Sequence, residues 1–150
     1  MRLFQKIFFL LQAQTSHGLH SPSVFNLYSE VINPILQKRI SKKIKTDELI
    51  QGISQYYAQE IDSGEVFPLV IPRLSPEIYQ QIDQDLLPKA QFNSILFILN
   101  PYETTLSQDI WDTLVDDPRV IHSIDLFDMG ILRFNPLASK QHFMLKKSYT

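Results

Sequence analysis

The apolar run Ile95-Leu-Phe-Ile-Leu99, introduced by Ser94, constrains the fold more than any other segment of the chain. A continuous run of this kind suits a strand buried on both faces, and such a strand needs a sheet with layers packed on either side. The surrounding sequence supplies them. Val66–Ile71 reads as a second strand, and Ser75-Pro76-Glu77 starts a helix through Ile78, Ile82, Leu86 and Leu87. Leu106, Ile110, Trp111, Leu114 and Val115 form a helical stripe within Thr105–Asp116. Val120–Phe127, a tight Asp128-Met129-Gly130 connection, Ile131–Phe134 and His142–Leu145 follow, and these last three strands read as an antiparallel group. Short apolar runs alternating with helical ones predict an α/β layered fold.

The N-terminal part has a different character. Leu3, Phe4, Ile7, Phe8, Leu10 and Leu11 fall near a 3.6-residue repeat and predict a helix over 3–11. The run Ile7–Leu11 is shorter than the ~7–15 apolar residues of a secretory signal, and Gln12 and Gln14 follow at once. Thr15 to Pro22 is a break, with Gly18 free to take positive φ and Ser21 placed to cap a helix starting at Pro22. That helix carries Val24, Phe25, Leu27, Tyr28, Val31 and Ile32 and is expected to stop near Asn33-Pro34. Lys38, Arg39, Lys42, Lys43 and Lys45 interleave with Ile40 and Ile44 as a helix with one wet face. Thr46-Asp47-Glu48 introduces a further helix, with Leu49, Ile50, Ile53, Tyr56 and Tyr57 as apolar positions, and Asp62-Ser63-Gly64 closes it.

The 150 residues fit one domain, with a helical region over 1–63 and an α/β region over 64–150. The absence of cysteine excludes a disulfide framework, a thiolate metal site and a cysteine nucleophile. Fourteen Lys and Arg against 16 Asp and Glu give a net charge of −2, which is no footprint for nucleic acid. No stretch approaches the ~18 apolar residues of a membrane span, and a cytoplasmic location is expected.

Two blocks carry a family resemblance. HGLHSPSVFNLYSEVI at 17–32, and the C-terminal run containing SIDLFDMG at 123–130 and KQHF at 140–143, resemble the two ends of a group of class I S-adenosylmethionine-dependent methyltransferase-like proteins of Bacteroidetes type. Together the matches cover about half of the chain. The resemblance implies a Rossmann-like sheet and S-adenosylmethionine chemistry at a glycine-rich first βα turn, where side-chain-free positions let the backbone approach the ligand. The four glycines stand at 18, 52, 64 and 130, and the nearest two, Gly52 and Gly64, are 12 residues apart, so there is no GxG element. The segment between the blocks is also short for the three strands and crossovers the family places there, since each βαβ unit takes ~30 residues. The expected fold is therefore a truncated Rossmann-like sheet of about four to five strands behind an N-terminal helical region.

Where the family tends to carry an acidic-glycine turn after its fourth strand, this chain reads Val70-Ile71-Pro72-Arg73. After the fifth, where an acidic pair precedes an aromatic, it reads Leu99-Asn100-Pro101-Tyr102 and keeps only the aromatic. Asn100 and Tyr102 are the residual cleft candidates, with no catalytic residue, metal ligand or cofactor expected. Pro68 cannot donate to a ladder, so Val66–Ile71 is expected at a sheet edge, with a loop or bulge as the alternative. In the complete family fold this strand is central and pairs with the first strand. The new edge is expected to be guarded by Pro68 and covered by the N-terminal helices, or to pair with another chain.

Other candidates read as structural. His17 and His20 could suggest a metal but lack a second cluster, and they suit a hydrogen-bonded turn. His122 and His142 fall in strands, and a Ser21–His17–acid arrangement lacks a nucleophile elbow. The basic run at 38–45 could contact RNA or an acidic partner, but fits a solvated helix face. The expectation is thus a degenerate, non-catalytic methyltransferase-like protein serving as an interaction or regulatory module, through the Val66–Ile71 edge or the N-terminal helices. The alternative is an active S-adenosylmethionine-dependent methyltransferase with unconventional or inter-chain cofactor binding.

Overall fold

The structure, a computed structural model, describes residues 9, 22–61, 64–135 and 138–146. The expectations for the helix over 3–11, the Ser21 cap, His17 and His20 lie outside these residues, apart from Phe9, whose ring is buried.

Helix α1 (Pro22–Leu27) runs through a π-helical turn (Tyr28–Ile32) into α2 (Asn33–Leu36). The helix therefore passes Asn33-Pro34, where it was expected to stop. In a regular helix Pro34 would leave a carbonyl without its donor and crowd it with the ring. Here the Asn33 N–H donates to the Tyr28 carbonyl five residues back, and the wider turn accommodates the proline.

Helix α3 (Lys42–Gln59) also corrects an expectation: Lys42, Lys43 and Lys45 form its first turn instead of a separate wet helix, Thr46–Glu48 lie inside it, and Lys38 and Arg39 precede it. Ser41 caps it, accepting from the Ile44 N–H at 3.3 Å. Lysines are unfavourable at the positive end of a helix dipole. Two of them reach acceptors elsewhere: Lys45 Nζ donates to the Leu36 carbonyl at 3.0 Å, and Lys42 reaches across to the sheet.

Strand β1 (Phe67–Ile71) is followed by α4 (Pro76–Gln81), capped by Ser75, which continues as a π-helical turn (Ile82–Leu86) and a 3-10 turn (Leu87–Lys89). Pro88 repeats the arrangement at Pro34, with the Leu87 N–H donating five residues back to Ile82. Strand β2 (Ser94–Leu99), helix α5 (Thr105–Asp116) and strands β3 (His122–Asp125), β4 (Met129–Arg133) and β5 (Gln141–Met144) complete the described elements.

The strands form one mixed sheet in the order β1-β2-β4-β3-β5. β1 runs parallel to β2, and β4 lies antiparallel between β2 and β3. The expected antiparallel group holds for the β3–β4 hairpin but not for β5, which is parallel to β3, with Ser123 opposite His142. With both sides of β4 occupied, the chain leaves the end of β4, passes the start of β3 and enters alongside it, so it must run the same way. The hairpin turn is also shifted: Met129 and Gly130 belong to β4, and Phe127-Asp128 make the turn.

Side-chain alternation on β2 sorts the core into two layers. Ile95 and Phe97 meet Val24, Leu27, Ile32, Leu49 and Ile53 of the N-terminal helices, whereas Leu96 and Ile98 meet Ile82, Leu87, Ile110, Trp111 and Leu114. Helices thus cover both faces of the sheet, the Rossmann-like α/β arrangement expected, in five strands. Tyr56 Oη donates to the Ser23 carbonyl (3.1 Å) and Tyr28 Oη to the Lys146 carbonyl (2.7 Å), tying α3 to α1 and the π-helical turn to the segment after β5.

Candidate functional site

β1, β2, β3 and β5 all point one way, so their carboxyl ends gather at one edge of the sheet. In open α/β sheets this is where ligands bind. Arg73, Asn100, Tyr102, Phe127 and Asp128 follow those ends.

Asn100 takes a left-handed φ of 51°, which its short polar side chain tolerates. Its N–H donates to the Asp128 carbonyl (2.9 Å), and its Oδ1 accepts from Lys42 Nζ (3.3 Å). Lys42 also lies 3.5 Å from Asp128 Oδ1. Arg73 pairs with Glu103 at 3.0 Å. Both ion pairs are exposed and therefore weak. A small cleft of about 60 Å³ opens between Lys42, Leu126 and Asp128.

Tyr102, the other candidate, turns into the core. Its hydroxyl donates to Asp125 Oδ2, and its ring stacks on Phe127 with centroids 5.0 Å apart and planes 6° apart. Phe9 meets Phe127 edge-on at 5.5 Å. Asp125 is fully buried and accepts from Trp111 Nε1 (3.2 Å) and from the Phe127 N–H (2.8 Å) as well. Burial pushes its carboxyl up to about 6, against the opposing effect of the three donors. Burial, reinforced by the Asp125 charge, raises the Tyr102 phenol well above its ordinary value. With three donors converging on Asp125 and no solvent access, the cluster fits a structural clamp better than an acid–base pair.

Local sequence explains how the clamp is built. Thr104 and Ser107 cap α5 reciprocally, at 2.9 and 3.0 Å, which sets Trp111 over the sheet. The ring lies on Gly130, where any Cβ would overlap it. Phe127 sits at φ 71° in the first central position of a two-residue hairpin turn, a place that usually takes glycine. Its stack on Tyr102 and the Asp125 contact to its N–H hold it there. From sequence Trp111 was read only as part of a helical stripe and Gly130 as part of a tight connection, and Asp125 was given no role of its own. The signal that joins three of the clamp residues is the motif SIDLFDMG, which contains Asp125, Phe127 and Gly130.

Elsewhere, His142 Nδ1 and Ser123 Oγ share a 2.6 Å hydrogen bond across β3 and β5, and His122 meets Phe143 edge-on. Burial lowers the pKa of both histidines. Arg133 is buried with its guanidinium 3.7 Å over the Tyr57 ring and donates to the Phe92 carbonyl at 2.8 Å. Among the described residues no group of three or more His, Asp or Glu is placed to hold a metal ion, and no helix is long and apolar enough to cross a membrane.

The second notable surface is β1, which ends the sheet. Phe67, Leu69 and Val70 are 60%, 43% and 37% exposed. Beside them opens a cleft of about 340 Å³, walled by Phe67, Leu69, Leu86, Ala90, Leu96 and Phe134, with Asp85 and Lys89 also lining it. Pro68 thus stands on an edge strand, and among the described residues no N-terminal helix covers that edge.

No family model matches the chain, and neither a curated protein nor a solved structure is significantly similar to it.

Proposed function

We propose that the chain is a degenerate, non-catalytic methyltransferase-like protein that works in the cytoplasm as an interaction or regulatory module. The observation that carries this reading is β1. In the family the sequence resembles, the corresponding strand is central; here it is the last strand and leaves Phe67, Leu69 and Val70 exposed. The lack of any glycine-x-glycine element agrees with a lost cofactor turn. Isolated apolar residues are common on surfaces, but a contiguous apolar strand beside an open cleft is characteristic of a contact surface.

One observation favours the alternative of an S-adenosylmethionine-dependent methyltransferase with unconventional or shared cofactor binding. Asn100 and Phe127, both non-glycine residues with positive φ, both follow strand ends at the carboxyl edge, and backbone strain of this kind concentrates at functional sites. Calorimetric titration of the purified chain with S-adenosylmethionine decides between the two. No heat and no thermal shift at high ligand concentration supports the interaction module. Micromolar binding overturns it.

A further inference from the structure

We propose that the β1 edge is closed to the addition of another strand, so that contacts made there run through side chains. This deepens the interaction reading by defining the kind of contact that surface permits. The Phe67 N–H donates to the Asn93 carbonyl at 2.9 Å, toward β2, and Phe67 is in register with Ser94. The register continues without a bulge to Ile71 opposite Ile98, and no peptide among the described residues is cis. Backbone groups alternate along a strand, so those of Phe67, Leu69 and Ile71 face β2. Across each trans peptide the nitrogen points opposite to the preceding carbonyl. The nitrogens of residues 68, 70 and 72 therefore face outward. Two of these belong to Pro68 and Pro72.

Val70 is left as the single outward donor between residues 67 and 72. A strand arriving at this edge would set its own carbonyls against two proline rings and leave them without donors. The need for such a device is visible in the composition of the strand. FPLVI is apolar throughout and exposed at its first four positions, a template for edge-to-edge pairing if its donors were intact. Pro68 and Pro72 face away from β2, so their presence costs the β1–β2 ladder nothing. Phe67 and Leu69, which share the face of Leu96, remain free to meet apolar side chains over the cleft.

Sedimentation equilibrium over a wide concentration range tests this, with infrared spectroscopy reporting intermolecular strands. The chain carrying Pro68→Thr and Pro72→Thr is expected to associate at least about tenfold more tightly than the wild type, with added intermolecular β signal, and Val70→Pro in that background should reverse the gain. An unchanged mass and spectrum in the folded double variant overturns the proposal. Wild type compared with Val70→Pro alone gives a second reading that does not need the double variant to fold. Wild-type mass and spectrum insensitive to Val70→Pro support a closed edge, and wild-type association abolished by Val70→Pro refutes it. S-adenosylmethionine binding would defeat the functional reading while leaving these outcomes untouched.

Discussion

Asp125 is expected to make the protein less stable as pH rises from about 4 to about 6, the reverse of the usual behaviour of a native carboxylate. An ordinary paired carboxylate has a depressed pKa and stabilises the fold above its unfolded value. Asp125 is different, because burial raises it from 3.8 to about 6 in spite of its three donors. Between those values the native state holds the proton more tightly than the unfolded chain, so its contribution is complete below 3.8 and is lost as pH rises through 6. At 1.36 kcal/mol per pH unit the loss is about 3 kcal/mol. Asp125→Asn cannot titrate, and subtracting its stability from that of the wild type cancels the other carboxylates. Trp111 is the sole tryptophan and donates to Asp125, so urea unfolding followed by its fluorescence reads the site directly. The stability difference, wild type minus Asp125→Asn, should fall by about 2.4 kcal/mol from pH 4 to pH 7, most of the full loss of about 3 kcal/mol. A difference that stays constant or rises would refute the reasoning.

Gly130→Ala should destabilise by about 1–3 kcal/mol in thermal melts, because the new methyl group overlaps the Trp111 ring. Phe127→Gly relieves about 1–2 kcal/mol of left-handed strain but removes a ring packed on Tyr102 and Phe9 that is worth about 3–5 kcal/mol, so urea unfolding should show net destabilisation. Asn100→Gly, with no such ring to lose, should be neutral to slightly stabilising in the same assay. Lys42→Ala should cost no more than about 1 kcal/mol, an effect that shrinks with added salt, since the Lys42–Asp128 pair is exposed.

The elements most legible in the sequence are those whose signal is local. Ile95–Ile98 are buried on both faces, as a continuous apolar run requires, and Pro68 marked its strand as an edge because a missing N–H is tolerated only where no neighbour needs it. Features set by distant neighbours were not legible. Pro34 announces a helix stop, but the π-helical turn upstream of it leaves no periodic trace. Three lysines opening α3 contradict the dipole rule until Asn100, Asp128 and the Leu36 carbonyl are placed beside them. The direction of β5 depends on β4 lying between β2 and β3, which no short window encodes. In the candidate site, Asn100 and Tyr102 are two residues apart on paper, yet one lies against Lys42 at the carboxyl edge and the other packs inward on an aspartate 23 residues away.

Amide hydrogen exchange at β1, resolved by NMR, tests most directly whether the sheet ends at this strand. If it does, Leu69 and Ile71, whose N–H groups face β2, exchange slowly, while the Val70 amide between them exchanges nearly as fast as an unpaired loop amide. Val70 protected to the same degree as its neighbours would mean that another strand or chain occupies the edge, and would contradict both the exposed surface and its closure by proline.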